Sequence, residues 1–140
     1  MRLFFDTSVL VPAFLTQHIH HAASRTAFMQ GRREDRSCGA HTLAEFYSTL
    51  TGSANKFRLD GNEVLSIIGD ILEHLSVVAL SSDEYVLAIQ DGARDGVAGG
   101  TIYDALLARC AIKAQADVIY TWNLKHFRQF PEIRSLVRTP

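Results

Sequence analysis

Three acidic residues lie at positions where a carboxylate can do chemistry, and the first of them is Asp6. It directly follows the apolar run at residues 2–5, and two hydroxyl residues, Thr7 and Ser8, come next. The carboxyl ends of parallel strands border the ligand crevice of open α/β sheets, so an acid here is well placed for function. Asp, Thr and Ser are also good helix N-caps. The sequence therefore leaves Asp6 as either a helix cap or a functional carboxylate.

Asp104 is the second acid, and it lies on an apolar face. On a helix it shares one stripe with Leu107, Ala108 and Ala111, which follow at helical spacing. Burying an ionised carboxylate without a partner costs several kcal/mol, so we expect a cation, a metal or hydrogen-bond donors beside it. The alternative is an acid near a helix N-terminus that the macrodipole stabilises.

Glu45 is the third acid, and its position discriminates less. Leu43, Phe46 and Leu50 form the apolar stripe of its predicted helix, and Glu45 falls beside that stripe. A solvated surface acid explains this position as well as a functional acid does. Glu45 is a candidate functional residue only if the fold brings it close to the other two acids.

The segment at residues 117–127 repeats the pattern of the N-terminus. An apolar strand ends at Thr121, and the polar residues Thr121 and Asn123 meet the start of a short helix. Because parallel strands end at one edge of a sheet, two strand ends would present polar groups to the same edge.

A divalent cation would explain three acids at one edge. Two carboxylates ~4 Å apart repel by ~4 kcal/mol at an effective dielectric constant of ~20, and a cation between them reverses the sign of the interaction. If Asp6, Glu45 and Asp104 converge, their oxygen ligands suit Mg²⁺ or Mn²⁺ rather than zinc, which prefers nitrogen and sulfur.

Short apolar runs alternate with longer segments of helical periodicity, which predicts an α/β fold with a mainly parallel central sheet of four to five strands flanked by helices. Strands are predicted at residues 2–5, 76–80 and 117–121, with weaker ones at 37–40 and 136–138. Helices are predicted at residues 8–14, 20–30, 42–51, 61–75, 83–94 and 101–115. Turn signals separate them at residues 31, 52–53, 60–61 and 96–100.

Two of these helices carry specific expectations. The helix at residues 61–75 has one continuous apolar stripe, formed by Val64, Leu65, Ile68, Ile71, Leu72 and Leu75. Burial of this stripe in the protein's own core and a role in a groove or dimer face both remain open. In the helix at residues 8–14, Pro12 is expected only near the first turn.

Composition favours one soluble domain over residues 1–140. The chain has 140 residues, of which 47% are hydrophobic, and 14 basic residues face 15 acids. A net charge of −1 provides no global basic field for nucleic acid or membranes, so any polyanion must contact a local patch. No stretch approaches the ~18 apolar residues of a membrane span, and we expect a cytoplasmic protein without membrane contact. Cys38 and Cys110 lack metal or redox spacing and are expected to be reduced and buried.

The basic residues offer a local phosphate-contacting surface. Its candidates are Arg25, Arg32, Arg33, Arg36, Lys56 and Arg58. Each phosphate contact releases counterions whatever the net charge of the protein. The alternative is an ordinary solvated charged face.

The histidines and the single tryptophan have structural explanations as well as functional ones. The HIHH run at residues 18–21 has no nearby Cys, and its spacing scatters the rings around a helix, which disfavours a metal site. Trp122 could stack on a base or pack against the core. The glycine-rich run at residues 96–100 has neither the dinucleotide-binding pattern nor a P-loop lysine, so a nucleotide-phosphate cradle is not expected.

Four short motifs occur in an order that resembles the PIN-domain ribonucleases, and most closely the VapC-type toxins of toxin–antitoxin pairs. They are DTSVL at 6–10, AEF around Glu45, GTIYDALLA at 100–108 and TWNLKHF at 121–127. The resemblance implies a three-layer PIN-like domain that cuts RNA with Mg²⁺ or Mn²⁺ bound by carboxylates. It places Asp6, Glu45 and Asp104 as catalytic metal ligands.

The fourth acidic position of that family falls on Asn123, which offers a carbonyl oxygen but no charge. The resemblance therefore leaves open whether one metal ion or two bind. It also implies that Thr7, Ser8 and Thr121 orient the carboxylates. As partners it implies an RNA substrate, a small antitoxin protein that inhibits the site, and a second copy of the chain in a homodimer.

Two other functions compete with the nuclease. A phosphatase using Asp6 as its nucleophile would commonly have a second Asp two residues later, where this chain has Ser8. A binding module for RNA or protein without activity would tolerate loss of the acids, and Asp104 on an apolar stripe disfavours that alternative.

Overall fold

A computed structural model describes residues 1–52 and 56–140 of the chain. Its five strands form one sheet in which each pairing is parallel, with the order β3-β2-β1-β4-β5. The strands are β1 (Leu3–Phe5), β2 (Arg36–Gly39), β3 (Ser76–Val78), β4 (Val118–Tyr120) and β5 (Val137–Arg138). The predicted α/β class is confirmed, and both of the weaker predicted strands are present.

In the two described ranges, 1–52 and 56–140, seven α-helices connect and cover the strands. They are α1 (Thr7–Ala13), α2 (His21–Phe28), α3 (Ala40–Thr51), α4 (Gly61–His74), α5 (Ser82–Arg94), α6 (Thr101–Lys113) and α7 (Leu124–Arg128). Two short 3₁₀ turns at Arg33–Asp35 and Arg134–Leu136 had no clear sequence signal. Ser53, part of the predicted turn at 52–53, lies outside the described residues.

The alternation of side chains along β1 places helices on both faces of the sheet. Leu3 and Phe5 belong to one buried apolar cluster, whereas Phe4 belongs to the other. The first cluster joins the sheet to residues of α1, α2, α3 and α4, and the second joins it to α6 and α7. Helix, sheet and helix therefore form the three layers that the resemblance implied.

The strand order reverses beside β1. From β1 the chain proceeds to β2 and β3 on one side, and it then crosses to β4 and β5 on the other side. Ligand crevices of open α/β sheets occur at such a reversal, outside the carboxyl ends of the strands. Asp6 follows β1 and Thr121 follows β4, so both lie at this position.

The expectation for Pro12 was wrong, and the apolar stripe of α4 is buried only in part. Pro12 lies in the last turn of α1 rather than the first, where it has no N–H to donate to the carbonyl four residues earlier, and the helix ends at the next residue. In α4, Val64 and Ile71 are buried, as is Leu75 at its C-terminal end, but Leu65 and Leu72 are exposed. The stripe is wider than the surface that the core covers.

Arg36 corrects the predicted basic surface. It lies on β2 and is buried, where its guanidinium donates to the carbonyl of Phe28 at 2.6 Å and stacks over the Phe28 ring. Burial lowers the pKa of this guanidinium. Arg36 is a structural residue, and its predicted role as a phosphate contact was wrong.

The expectations for the two cysteines are confirmed. Cys38 and Cys110 are free thiols, and both are buried. Burial raises the pKa of Cys38 to about 12 and that of Cys110 to about 11, so both are protonated and inert at neutral pH. In the part of the chain that the structure describes, no helix has the length and apolar character needed to cross a bilayer.

Candidate active site

A cleft of about 660 Å³ opens at the carboxyl edge of the sheet, beside the strand-order reversal. The predicted residues that line it are Asp6, Thr7, Ser8, Glu45, Asp104 and Asn123. They come from the junction of β1 and α1, from α3, from α6 and from the loop after β4. The fold thus brings together acids that are up to 98 positions apart in the chain.

Asp6 occupies the floor of this cleft and is only 4% exposed. It is the N-cap of α1, where its Oδ2 accepts from the Ser8 backbone N–H at 3.4 Å. The same Oδ2 accepts from the Ser8 hydroxyl at 2.7 Å and from the Thr121 hydroxyl at 2.8 Å. Across the described chain, Oδ1 takes part in none of the side-chain hydrogen bonds and is available to a ligand.

Ser8 and Thr121 join the two strand ends around Asp6. Their hydroxyl oxygens lie 3.2 Å apart. Ser8 Oγ accepts from the backbone N–H of Trp122 at 2.9 Å, and Thr121 Oγ1 accepts from that of Asn123 at 2.9 Å. The loop that carries Asn123 is therefore positioned by the same hydroxyls that hold the Asp6 carboxylate.

Glu45 lies on α3, with 38% of its side chain exposed. Burial raises the pKa of this carboxyl, and the negative charges of Asp6 and Asp104 raise it further. His41 opposes the shift, with Nε2 at 3.9 Å from Glu45 Oε1. That oxygen is buried and has no hydrogen-bond partner among the described residues. The carboxylate thus carries charge that the protein leaves largely uncompensated.

Thr7 differs from the other two hydroxyl residues. Its Oγ1 is buried and makes no hydrogen bond in the described structure. It lies near enough to Glu45 to oppose the rise in that pKa slightly, although the contact does not reach hydrogen-bond geometry. Its surroundings therefore associate Thr7 with Glu45 rather than with Asp6.

Asp104 projects from the first turn of α6, with 27% of its side chain exposed. Its stripe is as predicted, because Leu107, Ala108 and Ala111 beyond it are buried. Burial raises the pKa of Asp104 and the charge of Asp6 raises it further, whereas His126 lowers it from a distance of 3.9 Å. The macrodipole alternative and the site alternative are both compatible with this position.

Asn123 is exposed at the mouth of the cleft. Residues Arg25, Arg32, Arg33, Lys56 and Arg58, predicted to contact RNA, do not line the cleft. Arg25 lies over the Phe14 ring, and Arg32 pairs with Asp35 at 3.8 Å. A role for these side chains in RNA binding stays a prediction for a surface away from the acids.

Three histidines line the cleft although the sequence pointed to none of them as site residues. His18 and His20 belong to the run that was considered and rejected as a metal site, and His126 lies in α7. Trp122 lines the cleft beside them and also packs against the core. Only the clustering of histidine in HIHH could have drawn attention to this side of the cleft.

Within residues 1–52 and 56–140, no three His, Cys, Asp or Glu side chains stand close enough to form a ready metal-binding group. The three acids border one cleft without converging on one point.

A cavity of about 730 Å³ elsewhere includes Arg94, Asp95 and Glu132. There Asp95 is exposed and pairs with Arg94 at 3.5 Å. This cavity therefore lacks the accumulated negative charge of the cleft that contains Asp6.

The parallel sheet and the three acids at its strand-order reversal define the class of this protein. It is an α/β protein with an acidic cleft at the carboxyl edge of its sheet. The family model of the PIN domain matches residues 3–132. The chain belongs to the PIN-domain family.

Curated relatives of this chain are named ribonucleases. Ribonuclease VapC40 of Mycobacterium tuberculosis is 32% identical over 129 residues, which cover 92% of this chain and 92% of the relative. Ribonuclease VapC27 of the same organism is 30% identical over 113 residues, or 81% of this chain and 79% of the relative. The predicted kinship with VapC-type proteins is confirmed.

Solved structures share the fold at lower identity. VapC20 of M. tuberculosis, described as a sarcin-ricin loop cleaving toxin, superposes with a TM-score of 0.69 at 16% identity, covering 86% of this chain and 89% of that one. VapBC2 from Rickettsia felis, bound to a DNA fragment from its promoter, gives a TM-score of 0.68 at 19% identity, covering 100% and 99%. At these identities the likeness establishes the three-layer architecture.

Proposed function

We propose that this protein is a metal-dependent endoribonuclease and the toxin of a toxin–antitoxin pair. The observation that carries the proposal is that Asp6, Glu45 and Asp104 line one cleft, where burial and mutual charge raise the pKa of the latter two. Perturbed carboxylates in a cleft are typical of functional sites. The ribonuclease names of the curated relatives support RNA as the substrate.

Mg²⁺ or Mn²⁺ fits these residues. The donors are carboxylate and amide oxygens, and Glu45 Oε1 is buried without a hydrogen-bond partner among the described residues. Mg²⁺ keeps several of its waters and binds through one or two carboxylates, so acids that border a cleft without touching suit it. Asp6, Glu45 and Asp104 would hold the ion directly or through water.

Asn123 argues for one firmly held ion. It stands at the cleft mouth and brings no charge, so a second cation near it would face less negative charge than the first. His126 lies beside Asp104 and would further disfavour a second cation when protonated. Metal titration by calorimetry should therefore give a stoichiometry of about one per chain.

Each of these residues has its own role in the proposed reaction. Ser8 and Thr121 hold Asp6 in one orientation, so that its free Oδ1 faces the substrate. Glu45, which borders the same cleft, is suited to orient the attacking water. A bound divalent cation would lower the pKa of that water and offset charge on the phosphate oxygens.

The decisive experiment removes Asp104. Protein stripped with EDTA is incubated with mixed RNA, with and without Mg²⁺ or Mn²⁺, and the products are resolved on gels. We expect cleavage that depends on metal in the wild type and falls at least ~100-fold in Asp104→Asn. The matched control is Asp70→Asn, which removes an exposed acid of α4 outside the cleft and should cleave normally.

The other outcomes distinguish the competing functions. Full activity of Asp104→Asn would contradict the site assignment. Phosphate release from small esters without RNA cleavage would identify a phosphatase. RNA binding without cleavage at any metal concentration would identify a binding module.

We further propose that a small antitoxin protein occupies the cleft when the toxin is silent. Several structural neighbours are VapBC complexes, which supports such a partner. Expression of the chain alone should arrest growth, Asp104→Asn should not, and co-expression with the cognate antitoxin should restore growth. Arrest by Asp104→Asn would show that toxicity does not come from this site.

The predicted homodimer has a candidate surface on α5. This helix buries only Ala88 and Gly92, while larger apolar side chains on it are exposed, namely Tyr85, Val86, Leu87 and Ile89. Contiguous apolar surface of this kind is typical of protein interfaces. We propose that α5 packs against a second copy of the chain.

A further inference from the structure

Two histidine rings and Trp122 form one wall of the acidic cleft. His20 stacks on the indole of Trp122, with ring centroids 3.7 Å apart and planes inclined by 12°. The His18 ring follows at 5.6 Å from His20, tilted by 37°. All three side chains line the cleft that contains Asp6. We call His18, His20 and Trp122 the aromatic wall.

The base of the aromatic wall is connected to Asp6 through hydrogen bonds. The indole N–H of Trp122 donates to Ser24 Oγ at 2.9 Å, and its backbone N–H donates to Ser8 Oγ at 2.9 Å. Ser8 Oγ in turn donates to Asp6 Oδ2 at 2.7 Å. Ser8 Oγ therefore links the backbone of Trp122 to the Asp6 carboxylate.

The outer part of the wall is held by the loop between α1 and α2. The backbone N–H of His20 donates to His18 Nδ1 at 3.0 Å, which sets the orientation of the His18 ring. His21, the next residue, makes a 2.8 Å ring-nitrogen contact with the carbonyl of Pro12. These bonds give the loop a defined shape, and both histidines line the cleft. Ile19 between them is 89% exposed and does not line the cleft.

Trp122 itself is poorly placed to receive a ligand. Its indole packs against the apolar core, and His20 lies across it in a stack. The interpretation of Trp122 as a packing residue is therefore supported for the indole, which contacts the core and is covered by the His20 ring. The sequence could not show this arrangement because it depends on the stack.

We propose that His20, supported by Trp122 and flanked by His18, is a specificity residue on which an unpaired nucleobase next to the scissile phosphate stacks. This assignment rests on the proposed function, since RNA is its ligand. Stacking on an aromatic face requires a base that is free of its own neighbours. A duplex keeps its bases stacked on each other, so the wall selects RNA that is unpaired at the cut.

A fluorescent base tests the stack directly. The probe is a short unstructured RNA with one 2-aminopurine, whose emission is quenched when the base stacks on a ring. The titration is done in EDTA, so that quenching is read without cleavage. We expect quenching with the wild type, binding weakened about fivefold or more in His20→Ala, and binding within about twofold of the wild type in His20→Phe.

Matched controls separate stacking from loss of structure. Ile19→Ala changes the same loop outside the cleft and should bind as the wild type does. The same probe annealed to its complement should bind much more weakly than the single strand. Far-ultraviolet spectra and melting temperatures of both variants show whether a substitution disturbs the fold. If only His20→Ala is disturbed, the binding of His20→Phe is compared with that of the wild type instead, and this comparison decides whether an aromatic ring at position 20 supports the stack.

Steady-state kinetics provide a second readout. Because a stacking residue acts in binding, His20→Ala should raise KM by the same factor as it weakens binding and change kcat little. Absence of quenching, or equal quenching by His20→Ala, would overturn the inference even if the wild type cleaves RNA. Quenching that needs His20 in a protein without nuclease activity would instead support the stack and refute the proposed reaction.

Discussion

Asp6 caps a helix and faces the cleft at the same time, because its two oxygens have different partners. Oδ2 accepts the hydrogen bonds from Ser8 and Thr121, whereas Oδ1 is left for a ligand. The two interpretations that the sequence left open were therefore never exclusive. A carboxylate that is both buried and oriented in this way costs little reorganisation when it binds a cation.

The two threonines at the site should respond differently to loss of their hydroxyls. Thr121→Val removes a donor to Asp6 and an acceptor for Asn123, and should lower the free energy of unfolding by about 1–3 kcal/mol. Thr7→Val removes a buried hydroxyl without a hydrogen-bond partner in the described chain, and should leave stability unchanged or slightly raised. Urea unfolding of both variants measures the difference, and equal losses would contradict the assigned contacts.

The raised pKa of Asp104 predicts how stability depends on pH. The folded protein holds this proton more tightly than the unfolded chain does, so the carboxyl lowers the free energy of unfolding as pH rises from the ordinary pKa of about 3.8 to the raised pKa of the folded state. In EDTA, Asp104→Asn should therefore be more stable than the wild type at pH 7. The difference should shrink as pH falls towards the ordinary pKa of about 3.8, where both proteins are neutral at this position.

Unfolding curves in EDTA over a series of pH values measure this difference. Asp70→Asn is the control, since it removes an acid outside the cleft. A stability gap between Asp104→Asn and the wild type that does not change with pH would refute the role of buried charge. Added Mg²⁺ should reduce the gap by stabilising only the wild type.

At the scale of elements, local signals predicted the helices well because their ends are defined by nearby residues. α4 and α5 both begin with a capping box, formed by Asp60 with Glu63 and by Ser81 with Glu84. What local signals could not show is how much of a helix the core covers. Leu65 lies on the apolar stripe of α4 and is exposed all the same.

The cap of α5 gives a prediction at this scale. Ser81 Oγ accepts from the Glu84 backbone N–H at 3.2 Å, and Ser81→Ala should destabilise the protein by about 0.5–2 kcal/mol. Ser82→Ala changes the next hydroxyl, which is not the cap, and should have a smaller effect. Thermal unfolding compares the two variants. Because α5 lies away from the acidic cleft, metal-dependent cleavage at low temperature should be retained by both.

At the scale of the whole molecule, the exposed side chains of α5 predict its oligomeric state. Gly92 allows α5 to approach α6 closely, since a Cβ there would lie 3.0 Å from Ile102. The small residues thus face the protein and the large apolar ones face outward. Val86→Glu and Ile89→Glu should each convert a dimer into monomers in light scattering after gel filtration.

Leu65→Glu on α4 is the matched control, because it charges another exposed apolar residue. If Leu65→Glu disrupts the dimer and the α5 variants do not, the stripe of α4 is the dimer face that its sequence also allowed. A wild type that is monomeric at every concentration would contradict the homodimer itself.

The sequence by itself determined the element types, the α/β class and the family. Strand residues such as Phe4 and Ile119 and the helical stripe of α6 are local patterns, and local patterns reflect what each segment must bury. The acids could be selected one by one for the same reason. Asp6 follows a strand and Asp104 lies on an apolar face, and both properties can be seen in a short stretch of chain.

Only the tertiary structure decided which side chains share a cleft. The strand order brings the end of β1 next to the end of β4, so Asp6 and Thr121 meet although 115 positions separate them. The same order excluded the basic residues and brought in His20, whose stack on Trp122 has no local signature. Long-range contacts depend on how all the elements pack together, and no segment carries that information alone.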